Sequence, residues 1–106
     1  MPRRTRGHED DEELRERDIA IVVARLAPNV RKLRIAARLT QERLAEEAGI
    51  DVSYVQRLER GVPANVTIAI VGALARALGA DVSKLLRATR PVIRNVGRPR
   101  AARKPR

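Results

Sequence analysis

The side chains best suited to bind a ligand lie between positions 53 and 60, where hydrogen-bond donors recur at helical spacing. Ser53, Gln56 and Arg57 are three and four residues apart, and Arg60 follows at the same interval. On an α-helix, residues at this spacing project from one side. Guanidinium, amide and hydroxyl groups on such a face can contact phosphate oxygens and base edges. The pattern therefore indicates a helix that binds a polyanion.

The elements that must position this face are two helices joined by a short turn. Ala45 is small enough for one helix to cross another closely, and Gly49 can adopt the left-handed conformation of a tight turn. Val55 and Leu58 are three residues apart, so they point inward from the second helix. Gln41 opens the first helix of the pair. These spacings predict a helix-turn-helix over residues 41–61.

With these residues in register, the segment resembles the Xre, or lambda-repressor-like, helix-turn-helix family. The resemblance covers roughly residues 30–86 and rests on Leu33-Arg34, Leu39-Thr40-Gln41, Leu44-Ala45, Glu59-Arg60-Gly61 and the segment 74–79. It implies an all-α, five-helix domain that binds operator DNA as a homodimer. Two departures are visible: Arg38 stands where the family commonly has glycine, and the loop 62–65 is unusual.

The resemblance assigns roles to the residues of the second helix of the pair, residues 52–60. This helix, called the recognition helix, is expected to enter the major groove. Val52, Ser53 and Arg57 match base-contacting positions, and Gln56 lies beside them. An arginine can donate two parallel hydrogen bonds to guanine, and a valine can contact a thymine methyl group. Arg57 is therefore the strongest candidate for sequence specificity.

Three further residues are candidates for contacts with DNA phosphates. Gln41 matches the family glutamine at the start of the second helix of the domain, where free backbone N–H groups also favour an anion. Arg60 is a phosphate candidate at the end of the recognition helix. For Tyr54 two interpretations remain open: its hydroxyl reaches a phosphate, or the ring covers the edge of the core.

Arg34 and Glu59 match the family's internal ion pair. A planar guanidinium bound to a carboxylate would fix the angle at which the recognition helix is presented. No second carboxylate, histidine or nucleophile stands at a spacing that suggests catalysis, so we expect a protein that is not an enzyme. His8 is the only histidine, and cysteine is absent, which excludes disulfides and zinc-finger sites.

Charge is distributed unevenly along the 106 residues. The net charge is +10, yet eight basic and no acidic residues follow position 86, leaving 15 basic and 13 acidic residues before it. The tail 87–106 is therefore expected to be a disordered basic arm that contacts DNA. Its DNA-contacting candidates are Arg94, Arg98, Arg100, Arg103, Lys104 and Arg106. Within it, Gly97-Arg98-Pro99 resembles the centre of an AT-hook, with Val96 where that motif has arginine.

The remaining organisation follows from apolar periodicity and capping residues. Residues 1–11 are expected to be disordered, 12–28 to form an additional N-terminal helix, and 29–86 to form the helix-turn-helix domain. Pro28 permits either one kinked helix or two. The additional helix carries an apolar stripe that either mediates dimerisation or folds back on its own domain: Ile19, Val22, Val23 and Leu26.

Capping residues and apolar spacing then set the helices of the domain. Thr40 and Asp51 are the predicted N-caps of the second and third helices, and Asn65 or Thr67 of the fourth. Inward-facing positions are predicted at Val30, Leu33 and Ala37 in the first helix, and at Ile68, Val71, Leu74, Ala75 and Leu78 in the fourth. The aromatic content is only 1%, so the core must consist of aliphatic side chains.

The favoured function is a dimeric, sequence-specific regulator that binds double-stranded DNA in the cytoplasm, on the nucleoid. It needs no cofactor or metal, and no small-molecule ligand or membrane span is evident. Two alternatives remain: an antitoxin-type adaptor that binds a protein partner and regulates its own synthesis, or an architectural protein that coats DNA without base preference.

Overall fold

The computed structural model describes residues 8–62 and 65–88, with side chains described from Asp10 onward. Within these ranges the chain forms five α-helices and no β-strand. They are α1 (His8–Ala36), α2 (Gln41–Ala48), α3 (Val52–Glu59), α4 (Ile68–Leu78) and α5 (Val82–Leu86). The prediction of an all-α helix-turn-helix domain is confirmed. The six arm residues from Arg94 to Arg106 lie outside the described residues.

Helix α1 resolves the question that Pro28 left open. The segment predicted at 12–28 and the first helix of the domain form one continuous helix, which begins at His8 and ends at Ala36. Pro28 has no N–H to donate to the Ala24 carbonyl, and proline inside a helix ordinarily costs about 3 kcal/mol. Both residues are exposed, so water can bind the carbonyl that proline leaves without a partner. The interruption therefore lies on the solvent side of the helix.

The second half of α1 packs into the core of its own domain. Val23, Leu26 and Val30 are buried, whereas Leu14 and Ile21 further upstream are 41% and 50% exposed. Of the two interpretations of the apolar stripe, packing against its own domain is therefore the correct one for Val23 and Leu26. Although α1 has 29 residues, no helix in the described part of the chain is apolar enough over a sufficient length to cross a bilayer.

Each helix contributes one leucine that is completely buried. These leucines form the centre of an aliphatic core to which valines and alanines from α1 to α4 are added: Leu26, Leu44, Leu58, Leu74 and Leu85. Full burial of a leucine contributes about 1.5–3 kcal/mol relative to exposure. Because every helix supplies one, all five depend on a single core.

Three expectations about individual positions were wrong. Ile68 was expected in the core but is 90% exposed; it is the first residue of α4, and the neighbouring helices leave it uncovered. Ala37 was expected to face inward but is exposed, because α1 ends one residue earlier. Residues 8–11 were expected to be disordered but form the first turn of α1.

The short helix α5 is held at its C-terminal end by side chains from α1. The Asn29 amide nitrogen lies 2.8 Å from the Leu85 carbonyl and 2.9 Å from the Arg87 carbonyl, and it also reaches the Arg25 carbonyl of its own helix. A guanidinium nitrogen of Arg25 lies 3.4 Å from the Leu86 carbonyl. The last carbonyls of a helix have no intrahelical partner, so these contacts satisfy them. The buried Asn29 side chain thus connects α1 to the C-terminal end of α5.

Candidate DNA-binding surface

Helices α2 and α3 form the two arms of a helix-turn-helix. Leu44 and Ala45 on α2 are buried, as are Val55 and Leu58 on α3. Gly49 ends α2 in the left-handed conformation, with φ of 73°. This turn directs the chain from one arm into the other, so that α3 lies across α2 with its opposite side in solvent.

The N-terminus of α2 is capped in the predicted way. The Thr40 hydroxyl accepts a hydrogen bond from the Arg43 backbone N–H at 2.9 Å. The backbone N–H groups of Gln41 and Glu42 precede that position and have no carbonyl partner within the helix. Free N–H groups and the positive end of the helix dipole favour an anion such as a phosphate at this point.

A buried ion pair joins the end of α1 to the end of α3. The Arg34 Nε donates to Glu59 Oε2 at 2.7 Å, and its Nη2 donates to Oε1 at 3.0 Å. Its Nη1 donates to the Leu39 carbonyl at 2.8 Å. The Glu59 side chain is 2% exposed and that of Arg34 is 14% exposed. The hydrogen bond to Glu59 raises the pKa of Arg34, although burial of the guanidinium acts in the opposite direction. The guanidinium therefore stays charged beside the Glu59 carboxylate.

Gln41 takes part in the same network. Its amide nitrogen donates to Glu59 Oε1 at 2.9 Å. We call Arg34, Gln41 and Glu59 the polar junction, because they connect α1, α2 and α3. The bond to Glu59 uses one amide hydrogen, so the other hydrogen and the amide oxygen remain for a further contact. A phosphate contact by Gln41 stays a prediction, and the bond to Glu59 would hold its side chain in place for it.

The predicted base-contacting residues lie on the outer side of α3. Ser53 and Arg57 are exposed, while Val52 and Gln56 are half-buried. Asp51 occupies the N-cap position but forms no side-chain capping bond. The four base contacts stay predictions, made on a helix face that the fold leaves free.

The two remaining phosphate candidates differ in their surroundings. Arg60 is exposed at the C-terminal end of α3. Tyr54 is half-buried, and its hydroxyl donates to the Asn65 carbonyl at 2.9 Å. Burial raises the pKa of Tyr54, and the nearby positive charge of Arg57 partly offsets this. Because a phosphate is an acceptor and the single hydroxyl hydrogen is already used, the structure favours the core-edge interpretation of Tyr54.

Two structural contacts were missed by the sequence analysis. The bond from Gln41 to Glu59 links residues 18 positions apart, and Asn29 reaches α5 across 56 positions. For Asn29 a signal was present, since a polar residue among the apolar residues of an inward stripe needs a buried partner. In the described ranges, no cluster of three or more histidine, aspartate or glutamate residues is placed to hold a metal ion.

Known proteins resemble this chain along the same domain. A helix-turn-helix family model matches residues 30–85. The control protein C.SmaI of Serratia marcescens is 43% identical over 70 residues, which are 66% of this chain and 80% of that protein. The crystal structure of the restriction-modification controller protein C.AhdI of Aeromonas hydrophila superposes with a TM-score of 0.56 and 38% identity, over 59% of this chain and 94% of that chain.

A hypothetical transcription factor, NHTF from Neisseria, superposes with a TM-score of 0.58 and 35% identity, over 61% of this chain and 74% of that chain. Five helices around one aliphatic core, with α2 and α3 joined by a glycine turn, define a helix-turn-helix DNA-binding domain. The chain belongs to the lambda-repressor-like (Xre) helix-turn-helix family. It is a sequence-specific DNA-binding transcriptional regulator.

Proposed function

We propose that this regulator is of the controller type and binds its operator as a homodimer, with the outer face of α3 in the major groove. The observation that carries the proposal is the free face of α3, where Ser53 and Arg57 are exposed while Glu59 holds the helix from the inner side. The similarity to C.SmaI and C.AhdI supports the controller type. The regulated genes would then be those of a restriction-modification system.

The proposed contacts are those that the family resemblance assigns. Val52, Ser53, Gln56 and Arg57 would contact base edges, and Gln41 and Arg60 would contact phosphates. A guanidinium that binds guanine in a bidentate manner contributes about 1–3 kcal/mol of discrimination against another base. The predicted arm residues would add phosphate contacts that do not depend on base sequence.

The function is tested by the affinity of the protein for two DNA duplexes of equal length at physiological salt. One is the DNA upstream of its own coding sequence and of adjacent restriction-modification genes, and the other is random. A specific regulator should prefer the first by about 1000-fold or more. Equal affinity for both duplexes would contradict the proposal and favour a protein that coats DNA without base preference.

Arg57→Ala sharpens the test at one residue. The variant should lose about 1–3 kcal/mol of discrimination between operator and random DNA, and its unfolding free energy should stay unchanged because Arg57 is exposed. Arg76→Ala is the matched control, since Arg76 is also an exposed arginine in the last turn of its helix. If Arg57→Ala discriminates as well as the control does, Arg57 makes no base contact.

We place the dimer contact on an apolar groove between α1, α4 and α5. The groove has a volume of about 500 Å³ and is lined by Val22, Val66, Thr67, Ile68, Val71, Gly72, Val82 and Leu86. Ile68 at its rim is 90% exposed, and Val82 is 43% exposed. Covering this groove with a second copy of the chain would remove these apolar side chains from water, which favours association.

Gly72 is a second reason to place another copy of the chain here. A glycine inside a helix costs about 1 kcal/mol relative to alanine. A Cβ atom at Gly72 would meet nothing within 4 Å, so packing inside the domain does not require glycine. A helix face without a side chain instead leaves room for a second backbone to approach closely.

Sedimentation of Ile68→Glu tests the dimer contact. The substitution should shift the protein toward monomer without unfolding it, because Ile68 is not part of the core. Ile35→Glu is the control: Ile35 is 54% exposed but does not line the groove, and its variant should sediment like the parent. A dimer that survives Ile68→Glu would place the interface elsewhere.

A further inference from the structure

Four residues in the described part of the chain have a left-handed backbone, and three of them are glycines. Gly49, Gly61 and Gly79 have φ of 73°, 78° and 65°. The fourth is Arg38, with φ of 62°. A Cβ atom is disfavoured in this conformation because it approaches the following carbonyl. Among residues 8–62 and 65–88, the turn between α1 and α2 is thus the one left-handed position that glycine does not occupy.

The backbone of that turn explains why position 38 must be left-handed. The Arg38 N–H donates to the Ile35 carbonyl at 2.9 Å, and the Leu39 N–H donates to the Arg34 carbonyl at 3.1 Å. These two bonds form a Schellman motif, which ends many helices. The left-handed residue of this motif, here Arg38, is usually glycine. All of these bonds are made by backbone atoms, so glycine would form the same turn without strain.

Within the described part of the chain, the Arg38 side chain has no polar partner. It is exposed, and none of the hydrogen bonds or ion pairs among the described side chains involves it. A strained residue whose side chain has no internal task is a candidate for a functional role. The position of Arg38 indicates an anion as its ligand, because it lies two residues before Thr40, the N-cap of α2, where an anion is favoured.

We propose that Arg38 binds a DNA phosphate beside the major groove, next to the phosphate site expected at the N-terminus of α2. The inference rests on the proposed binding mode of α3, because that mode brings the start of α2 to the DNA backbone. A guanidinium binds a phosphate through charge-assisted hydrogen bonds, and such a contact strengthens binding to every sequence alike. Arg38 would thus contribute affinity, while α3 contributes specificity.

A cation at position 38 could instead serve only the fold, through the negative end of the α1 dipole. The two roles predict different results for Arg38→Gly. Loss of a phosphate contact lowers DNA affinity and flattens the salt dependence of binding, whereas loss of a dipole contact changes stability alone. Glycine also removes the left-handed strain, so the melting temperature should rise.

The experiment measures melting temperature and DNA affinity over a salt series, for the full chain and three variants, on operator and random duplexes. For Arg38→Gly we expect a melting temperature higher by about 4 °C. We also expect weaker binding to both duplexes and a slope of log affinity against log salt that is flatter by about 0.9, the value for one phosphate contact. Arg38→Lys should keep the parent slope.

Arg76→Gln is the third variant and controls for net charge, because Arg76 is an exposed arginine outside α2 and α3. A parent-like slope in Arg38→Gly would overturn the inference, and so would equal flattening in Arg76→Gln. The proposed function fails by a different result, namely equal affinity of the parent for operator and random DNA. The slope on random DNA tests Arg38 in either case.

Discussion

The polar junction and the apolar groove share no residue and are built from different interactions. The junction uses charged groups with fixed geometry: two bonds from Arg34 to Glu59 and one from Gln41, at 2.7–3.0 Å. The groove is lined almost entirely by aliphatic residues and leaves Ile68 and Val82 exposed. Hydrogen bonds with fixed geometry set the angle between two helices. Apolar contacts favour burial of side chains but do not set an angle.

The difference indicates which part of the domain must be rigid. Base contacts depend on the angle between α3 and the rest of the domain, and the junction ends on α3 itself, at Glu59. A partner that covers the groove needs only a complementary apolar surface, because the side chains of both surfaces can repack as they are buried. Substitutions in the two regions should therefore differ in their effect on folding.

Removing the carboxylate of the junction should have the largest effect. Glu59→Ala leaves the mostly buried Arg34 guanidinium without its partner, and we expect a loss of about 3 kcal/mol of unfolding free energy. Chemical denaturation measures it. The operator affinity of the fraction that remains folded should also fall, because α3 loses its fixed angle.

An exposed ion pair provides the control for that substitution. Arg43 and Glu47 lie 2.9 Å apart on α2, with side chains 60% and 38% exposed. Arg43→Ala should leave the unfolding free energy nearly unchanged, because exposed pairs contribute little. If Glu59→Ala were no more destabilising than Arg43→Ala, the junction would not hold the domain together.

An intermediate effect is expected at Asn29, a directional contact on the groove side of the molecule. Asn29→Ala leaves the carbonyls of Leu85 and Arg87 without their donor and should cost about 1–3 kcal/mol. Asn29→Asp should cost more, since a carboxylate has the same shape but cannot donate while ionised. A calorimetric melt in which Asn29→Asp equals the parent would show that α5 is held by apolar packing alone.

The smallest effect is expected at the caps of the two arms. Thr40→Ala removes a formed capping bond of α2 and should cost about 1 kcal/mol. Asp51→Ala at the start of α3 should cost less, because Asp51 forms no side-chain capping bond. Urea denaturation of both variants checks the order, and the reverse order would mean that Asp51 stabilises α3 by its charge.

The helix-turn-helix was predictable from the sequence because its signals are local. Gly49 and Thr40 act within a few residues of their own position, through backbone conformation and a capping bond. The pairing of Arg34 with Glu59 could be expected only from the family resemblance, since 25 positions separate them. Local periodicity carries no information about such a distance.

The features that escaped prediction depend on tertiary packing. Periodicity placed Ile68 in the core, but this first residue of α4 lies at the groove, where the neighbouring helices leave it exposed. The effect of Pro28 depended on which side of α1 faces water, and that is set by the rest of the domain. The burial of Val23 and Leu26 was likewise set by tertiary packing, because α1 packs against α3, α4 and α5.

The contact of α1 with α5 has a consequence for how the chain is made. The Asn29 side chain closes the domain only with carbonyls at Leu85 and Arg87, which are synthesised 56 and 58 residues later. A nascent chain therefore exposes the apolar side of α1 until translation has passed α5. A message cut short within the coding region of α4 would yield a chain that contains α2 and α3 but lacks the leucine and carbonyls that complete the core. Such a fragment would be a substrate for proteases before it could occupy an operator.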